Sequence, residues 1–290
     1  MPSTFFTASP HWRWLIVAYF FCGGIAGGTY FLATLLDLSG KDRRLVQLGY
    51  LVAFPTVALC GLVLTVDLGR PERFWHMLIQ SETWHPMLKT YSPMSLGAWV
   101  LLAFSACAFL SFVAVLAERG WLRWPVLRGL GPSALVGRLV TVVGTLLGLY
   151  LAGYTGVLLS VTNRPIWADT TLLGVTFLVS AASTSAALLI VLGAWRGLSR
   201  DGLEALERFD SRVLILELVA IVALIASLGR IAVIGLSGWG VLLAVTVLGG
   251  IVVPLVLQSR PATRGSLGPV LVLVGGLVFR AVIIFASDRL

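Results

Sequence analysis

Charged residues are scarce in this chain. Only 12% of its 290 residues are Asp, Glu, Lys or Arg, while 58% are hydrophobic. A soluble domain carries roughly 25% charged residues, so this composition excludes a soluble enzyme, a disordered tail and a nucleic-acid binder. The hydrophobic residues suffice for about eight membrane spans of about 20 residues each. The composition therefore predicts a polytopic membrane protein.

Histidine and cysteine are also rare, and neither is placed to bind a metal within a membrane. The three histidines, His11, His76 and His85, all lie outside the apolar stretches, so no histidine pair is available as axial haem ligands. The three cysteines lie singly within apolar stretches, without metal or redox spacing. We therefore expect no haem and no metal on this chain.

Eight apolar stretches are long enough to cross about 30 Å of hydrocarbon as helices. They are Trp14–Leu36, Val46–Val66, Ser95–Ala117, Gly137–Val161, Thr170–Ala194, Val213–Leu236, Trp239–Gln258 and Ser266–Ala286. We expect an all-α integral membrane fold, a single domain over residues 1–290, with eight transmembrane helices in bundles. Only Ser237 and Gly238 separate the sixth and seventh stretches, which predicts a tight hairpin there.

The basic residues predict an orientation. Of the 21 Lys and Arg residues, thirteen lie in connections away from the termini and six on the side of the termini. Because positively charged loops stay cytoplasmic, both termini are expected on the outer, periplasmic side. The long connection between Asp67 and Met94 is then also outside. The basic loops face lipid headgroups in this interpretation, and no nucleic-acid partner is expected.

Polar side chains within the apolar stretches are candidate functional residues, because a central charge costs about 2.5–3.5 kcal/mol on insertion scales. Six groups fall near the outer ends of five stretches: Tyr19, Asp67, Arg70, Tyr154, Arg230 and Arg280. Because these groups share one depth, we favour a functional site there. The alternative for each arginine is that its side chain simply extends to the lipid headgroups.

Glu217 lies about one turn inside the inner end of the sixth stretch, about 20 Å along a helix from Arg230. Hydroxyl residues at mid-depth of the fifth stretch are placed to link it to the outer polar groups through water; they are Ser180, Ser183, Thr184 and Ser185. Such hydroxyls also hold helices together, so both interpretations stay open. The glycines of Gly23–Gly28, with Gly144 and Gly148, predict close helix packing, with approach of a flat ligand as the alternative.

The segment DLGRPERFWHML, followed by MLKTYSPMSLGAW, resembles the NrfD-like membrane-anchor family, which includes the membrane subunit of polysulfide reductase. The likeness continues in YFFCGGIAGG, YTGVLLSVTNRPIW and FRAVIIF, and so covers nearly the whole chain. It implies a quinone-reactive subunit of a multi-subunit oxidoreductase in the bacterial inner membrane, with menaquinone or ubiquinone bound as substrate. It also implies a ferredoxin-like iron–sulfur subunit, docked on the outer connections, and a molybdenum-type catalytic subunit.

The resemblance assigns roles by motif position. Tyr154 matches a tyrosine that contacts the quinone head group. Asp67 matches an acidic residue beside that site, and Arg280 matches an arginine on a suggested proton route. Tyr19 stands where the polysulfide reductase relative has a quinone-contacting histidine, so its phenol or the imidazole of His76 is expected to serve instead. Arg280 is a candidate to hold Asp67 ionised or to stabilise negative charge on the quinone.

Together these considerations predict a quinone site at the outer helix ends. The expected catalytic residues are Asp67, His76 and Arg280; the expected quinone-binding residues are Tyr154, Tyr19, Arg70 and Asn163; the expected proton-pathway residues are Glu217 and Arg230. The outer connections 67–94 and 163–169 are expected to form the docking face. Two other functions stay open: a proton- or ion-conducting protein lined by the buried charges, and a passive anchor without quinone chemistry.

Overall fold

A computed structural model describes residues 12–40, 42–122, 134–229, 238–259 and 267–287 of the chain. Within these ranges the regular structure is helical, apart from an isolated bridge between Ile79 and Pro86. Nine α-helices follow one another: α1 Trp14–Leu38, α2 Arg43–Asp67, α3 Pro93–Glu118, α4 Leu135–Ser160, α5 Leu173–Trp195, α6 Arg200–Ser227, α7 Gly238–Val247, α8 Val253–Ser259 and α9 Leu267–Ala286. A short 3₁₀ helix, Pro71–Met77, follows α2.

Seven helical segments have the length and apolarity to cross a membrane: α1 to α5, the segment Gly238–Ser259 that contains α7 and α8, and α9. Helix α6 is longer than any of them, at 28 residues, but Asp210, Arg212 and Glu217 interrupt its apolar sequence. Seven of the eight expected spans are therefore confirmed as helices of sufficient length and apolarity. The sixth expected span falls in α6, which is a helix but contains more charged residues.

Helix α6 nevertheless reaches across the whole bundle. We name the two ends of the bundle after α1: the upper end is where α1 begins, and the lower end is where it finishes. Just before α6, the Ser199 hydroxyl donates a hydrogen bond to Asp42, just before α2, at the lower end. At the other end of α6, the hydroxyls of Ser227 and Thr170 lie 2.7 Å apart in the upper end. Together with the seven segments above, α6 brings the crossings made by the described helices to eight.

Helix α6 begins at Arg200, thirteen residues before the predicted span at Val213. The charged segment 199–210 is part of the same helix and buries Leu206 and Asp210 against its neighbours. The final residues predicted for this stretch, including Arg230, and the hairpin position Ser237 lie outside the described residues.

Helix α1 lies at the centre of the bundle and packs against α2, α4, α5 and α9. A Cβ atom on Gly27 would overlap the carbonyl of Gly148 in α4, and one on Gly28 would overlap the Ser185 side chain of α5. The glycine motif therefore acts by removing side chains where two neighbouring helices approach, as its packing interpretation predicted.

The segment Gly238–Ser259 is interrupted in the middle. A π-helical turn over Leu248–Val252 separates α7 from α8. Pro254 follows at once; it has no N–H, and its ring would clash with the carbonyl of Gly250 in a regular helix. An inserted residue relieves this conflict. Gly250 also lets the turn approach α9, since a Cβ there would lie 2.7 Å from the Cα of Gly275.

The lower end carries the ion pairs of the described ranges. Arg43 binds Asp37 at 2.7 Å and Glu118 at 2.8 Å. Asp42 caps α2 by accepting a hydrogen bond from the Arg44 N–H at 2.9 Å. The hydrogen bond from the Ser199 hydroxyl lowers the pKa of the Asp42 carboxyl. These contacts tie the connections before α2 and α6 together.

Candidate functional site

Arg280 is buried in the upper half of the bundle, with 1% of its surface exposed. Its Nη1 donates hydrogen bonds to the Gly276 carbonyl at 2.9 Å and to the Ser180 hydroxyl at 3.3 Å. The guanidinium carbon also lies 5.7 Å from the ring centre of Phe21 and 5.5 Å from that of Phe177, a cation–π arrangement. A protein cation is thus solvated by one hydroxyl, one carbonyl and two rings.

A glycine makes room for this guanidinium. A Cβ atom on Gly24 of α1 would lie 3.0 Å from Nη2 of Arg280 and 3.1 Å from the Cβ of Ala181. Because that spacing is tighter than ordinary van der Waals contact, even alanine would press on the charge. The glycines of α1 therefore leave space for two kinds of group. Gly27 and Gly28 leave space for neighbouring helices, and Gly24 leaves space for a buried charge.

Glu217 lies on the opposite side of the same serine pair. Its carboxylate, 4% exposed, accepts a hydrogen bond from Ser183 at 2.6 Å. Ser183 and Ser180 are one turn apart on α5, and the backbone carbonyl of Ser180 lies 3.1 Å from the Ser183 hydroxyl as a second acceptor for the same hydrogen. Arg280, Ser180, Ser183 and Glu217 thus form a continuous set of polar groups, which we call the buried polar column.

The position of Glu217 corrects the sequence-based expectation. Glu217 was expected about one turn inside the lower end, but its partner Ser183 lies ten residues into the 23-residue helix α5, about 15 Å from the upper end of that helix. Glu217 is therefore near the middle of the bundle. Ser180 lies seven residues into α5, so the column rises from mid-depth into the upper half.

A cavity of about 10 Å³ lies beside Glu217, close to the space that one water molecule needs. Its walls come from α6, α7, the π-helical turn and α9, including Thr246, Gly250 and Gly276. The irregular turn and the glycines thus leave space next to a buried acid, where a regular, side-chain-filled contact would have none.

Two tyrosines form a second arrangement, on the other side of α1. Tyr19 of α1 is 3% exposed and Tyr154 of α4 is 6% exposed, and α1 packs against α4. The Cys60 thiol of α2 lies 3.9 Å from the Tyr19 carbonyl. A Cβ on Gly97 of α3 would overlap the Tyr154 hydroxyl. We call these four residues, from four helices, the tyrosine slot.

The tyrosine slot holds two donors without protein acceptors. Tyr19 lies five residues after the start of α1 and Tyr154 six residues before the end of α4, so both are about 8–9 Å from the upper end. Among the described residues, neither hydroxyl has a hydrogen-bond partner, whereas the hydroxyls of Tyr30 and Tyr50 are paired with Ser111 and Thr34. Each phenol can therefore donate a hydrogen bond to a ligand that reaches it.

The other predicted site residues lie at the surface of the upper end. Asp67 is the last residue of α2, and Asp67, Arg70 and Asn163 are exposed to at least an intermediate degree. His76, in the 3₁₀ helix, has its ring 3.9 Å from that of Trp75. In the described ranges no hydrogen bond or ion pair joins Asp67 to Arg280, so the expected pairing of these two charges is not observed. Arg280 instead shares the serine pair with Glu217.

The connection between α4 and α5 is held in a strained conformation. Ile166 has a φ of +69°, which is rare for a β-branched residue. Its N–H bonds to Asp169 at 2.9 Å, and the neighbouring Trp167 indole donates to the Ile283 carbonyl of α9 at 2.7 Å. Trp167 is fully buried and stacks on Trp12. The segment therefore ties α9 to the upper end of the bundle.

The connection between α2 and α3 presents exposed aromatic side chains, which we call the upper aromatic surface: Phe74, Trp84 and Tyr91, exposed by 51%, 71% and 81%. Trp84, at a φ of +56°, stacks on Trp75 at 5.6 Å. This surface follows Asp67 directly along the chain. In the described ranges, no group of three His, Cys, Asp or Glu side chains is placed to hold a metal ion.

Asp210 is a buried acid that the sequence analysis did not single out. It is fully buried and accepts a hydrogen bond from Gln258 of α8 at 2.7 Å. The available signal was spacing: Asp210 and Glu217 are seven residues apart and so share one face of a helix.

Comparison with known proteins gives a consistent result. A family model described as "Polysulphide reductase, NrfD" matches residues 3–289. "Protein NrfD" of Escherichia coli (strain K12) is 29% identical over 322 aligned positions, covering 99% of this chain and 98% of that protein. A polysulfide reductase chain from Wolinella succinogenes is 26% identical over 191 positions, covering 63% of this chain and 58% of that protein. A selenate reductase subunit from Mesobacillus selenatarsenatis is 31% identical over 78 positions, covering 26% and 18% respectively.

Proposed function

The chain belongs to the NrfD family of polysulphide reductase membrane subunits, and from this premise we propose that it exchanges electrons between a membrane quinone and a partner subunit. The observation that carries the proposal is the tyrosine slot: two buried phenol hydroxyls, at one depth, without acceptors among the described residues. A quinone head group has two carbonyl oxygens that need such donors. Menaquinone or ubiquinone is the proposed substrate.

The surroundings of the slot suit the rest of the quinone reaction. A quinone needs an apolar surface for its tail and groups that exchange protons as its carbonyls gain or lose them. Leu59 and Leu62 of α2 are exposed toward the side of the bundle and offer that surface. Asp67, two turns beyond Cys60 on α2, is the proposed proton acceptor and donor at the mouth of the slot. His76, Arg70 and Asn163 lie on the neighbouring connections and are proposed to complete this mouth.

We place the protein in a bacterial inner membrane, with the upper end facing the periplasm. The proposal rests on the basic residues, which concentrate in the lower connections. Helix α6 is proposed to be the eighth span, because it reaches both ends and its charged side chains Asp210 and Glu217 are buried in the protein rather than facing lipid.

The partner is proposed to be an iron–sulfur subunit of the ferredoxin-like type, itself bound to a molybdenum-type catalytic subunit. Two of the relatives are named as single components of reductases, which supports an assembly of several polypeptides. The upper aromatic surface is the proposed docking face, because large exposed aromatic side chains are typical anchors of protein interfaces. Docking there would bring a cluster to the end of the bundle that contains the slot.

A second function, proton transfer coupled to the quinone reaction, is favoured by the buried polar column. Structural braces need no acid at the centre of a membrane, and Glu217 meets both the Ser183 hydroxyl and a cavity. In this proposal, Glu217 passes protons along Ser183 and Ser180 toward the upper half, where Arg280 stabilises negative charge. An ion-conducting protein without quinone chemistry and a passive anchor remain the competing functions.

The slot is tested with conservative variants in the intact complex, assayed by electron transfer between a soluble redox dye and a quinone analogue. Tyr154→Phe and Tyr19→Phe each remove one hydrogen bond to a quinone carbonyl, so the KM for quinone should rise by up to about tenfold. Asp67→Asn should instead lower kcat, because it removes a proton-exchanging group.

Tyr150→Phe is the matched control. Tyr150 stacks on Tyr154 at 6.0 Å but is 44% exposed, and its variant should stay within about twofold of the unchanged protein. Wild-type turnover in both Tyr154→Phe and Asp67→Asn, with the complex fully assembled, would refute the proposed site.

The docking face is tested by photo-crosslinking from two exposed tryptophans at opposite ends. Trp84 lies in the upper aromatic surface, and Trp195, 81% exposed, lies at the lower end. With a benzoylphenylalanine at either position, we expect crosslinks to an iron–sulfur subunit from position 84 and none from position 195, as identified by mass spectrometry. The reverse pattern would contradict both the docking face and the orientation.

Coupled proton transfer is tested in sealed proteoliposomes that contain the whole complex, by measuring proton uptake from the lower side per electron transferred. Glu217→Gln should abolish this uptake, because an amide cannot exchange a proton, while Glu204→Gln should not. Glu204 lies on the same helix but is exposed. Unchanged uptake in Glu217→Gln would reject the coupled function and leave the quinone proposal standing.

A further inference from the structure

Asp210 is a buried acid at the lower end that the quinone reaction does not use. It is fully buried on α6. One carboxylate oxygen, Oδ2, accepts a hydrogen bond from the Gln258 amide at 2.7 Å. The other, Oδ1, is buried without a hydrogen-bond partner in the described ranges. Each buried acceptor left unpaired costs about 1–3 kcal/mol, and more when it is charged.

A purely structural contact would not require an acid at this position. An asparagine carbonyl could accept the same hydrogen bond from Gln258 without introducing a charge. Among the described residues, the charged groups that act on Asp210 are Glu207 and Glu217 on its own helix; both are acidic and do not neutralise it. From α8, the Gln258 amide nitrogen donates a hydrogen bond to Asp210. The amide oxygen of Gln258 accepts a hydrogen bond from the Ser211 hydroxyl at 2.5 Å. Protonation is the one change that removes the charge while the contact is kept.

Asp210 and Glu217 face the same way. Seven residues are two turns of a helix, a rise of about 10.5 Å, and the buried face of α6 runs through Asp210, Leu214, Glu217 and Ile221. Leu214 is fully buried between the two acids. The lower acid is therefore aligned with the buried polar column but separated from Glu217 by the buried side chain of Leu214.

The lower end also gives access to water. A groove of about 570 Å³ opens there between the connections before α2 and α6, and its walls include Asp42, Ser199, Gly202 and Arg208. Gly202 lies on the buried face of α6 two turns below Asp210, with the buried Leu206 between them. Among the described residues of α6, Asp210 is the fully buried acid nearest to this groove along the helix.

We propose that Asp210 is the lower-side proton-exchange group that supplies Glu217, across a gap that opens transiently at Leu214. The inference rests on the proposed proton function of the buried polar column. In the transfer, a proton from water in the groove binds the Asp210 carboxylate and then passes through an admitted water to the Glu217 carboxylate. Asp210 is restored as a carboxylate, and only O–H bonds are formed and broken.

The experiment is proton uptake from the lower side in proteoliposomes of the whole complex, with electrons supplied by a soluble redox dye. Asp210→Asn should reduce uptake per electron at least tenfold, to the level of Glu217→Gln, because neither amide can exchange a proton. Glu204→Gln, at an exposed acid on the same helix that does not line the groove, is the matched control and should behave like the unchanged protein. The unfolding temperature of Asp210→Asn should be unchanged, since asparagine retains the acceptor for Gln258.

The outcomes separate this inference from its premise. Normal uptake in Asp210→Asn with lost uptake in Glu217→Gln overturns the role of Asp210 alone. Normal uptake in both variants overturns the proton function itself. If Asp210→Asn does not assemble, infrared spectroscopy of the unchanged complex decides, using aspartate labelled with ¹³C in its side-chain carboxyl. Asp210 is the buried aspartate of the described ranges, so a carboxylic-acid band that responds to both the label and quinone reduction is expected. Its absence overturns the proposal.

Discussion

The burial of the Arg280 guanidinium is the constraint on which the upper half of the bundle depends. Lipid offers nothing to solvate a cation, so the protein must supply every group around it. It does so with the Ser180 hydroxyl, the Gly276 carbonyl and the rings of Phe21 and Phe177. Helices α1, α5 and α9 are thereby required to meet at one point.

Small residues make that meeting possible. Gly24 leaves room for the guanidinium, Gly27 and Gly28 let α4 and α5 approach α1, and Gly250 lets the π-helical turn approach α9. Since helices in lipid associate by close packing rather than by burial from water, removing side chains at these crossings is what holds the polar groups in place. The same central helix carries Tyr19 on its other side, so the tyrosine slot and the buried polar column are positioned by one element.

Apolar length and charge placement predict much of this architecture. Seven helices coincide with the predicted stretches because lipid requires continuous helices of a set length, and Tyr19, Tyr154 and Arg280 all lie in the upper half as expected. Their grouping was not predictable. Asp67 lies at the exposed end of α2, whereas Arg280 is directed toward α5. The rotation of α9 about its own axis decides this direction, and no pattern in a single sequence specifies it. The charged start of α6 concealed Asp210, because a run of Glu, Arg and Asp resembles a solvated connector until the opposite face is known to be buried.

We propose that a quinone binds between α1 and α4, beside but not within the buried polar column. The most direct measurement is photo-labelling of the assembled complex with an azidoquinone, followed by mass spectrometry of the labelled peptides. The account predicts label in the peptides around Tyr19, Gly97 and Tyr154, suppressed by excess unmodified quinone. Label confined to α6–α9 would move the site into the polar column, and the absence of any competable label would mean that the subunit is a passive anchor.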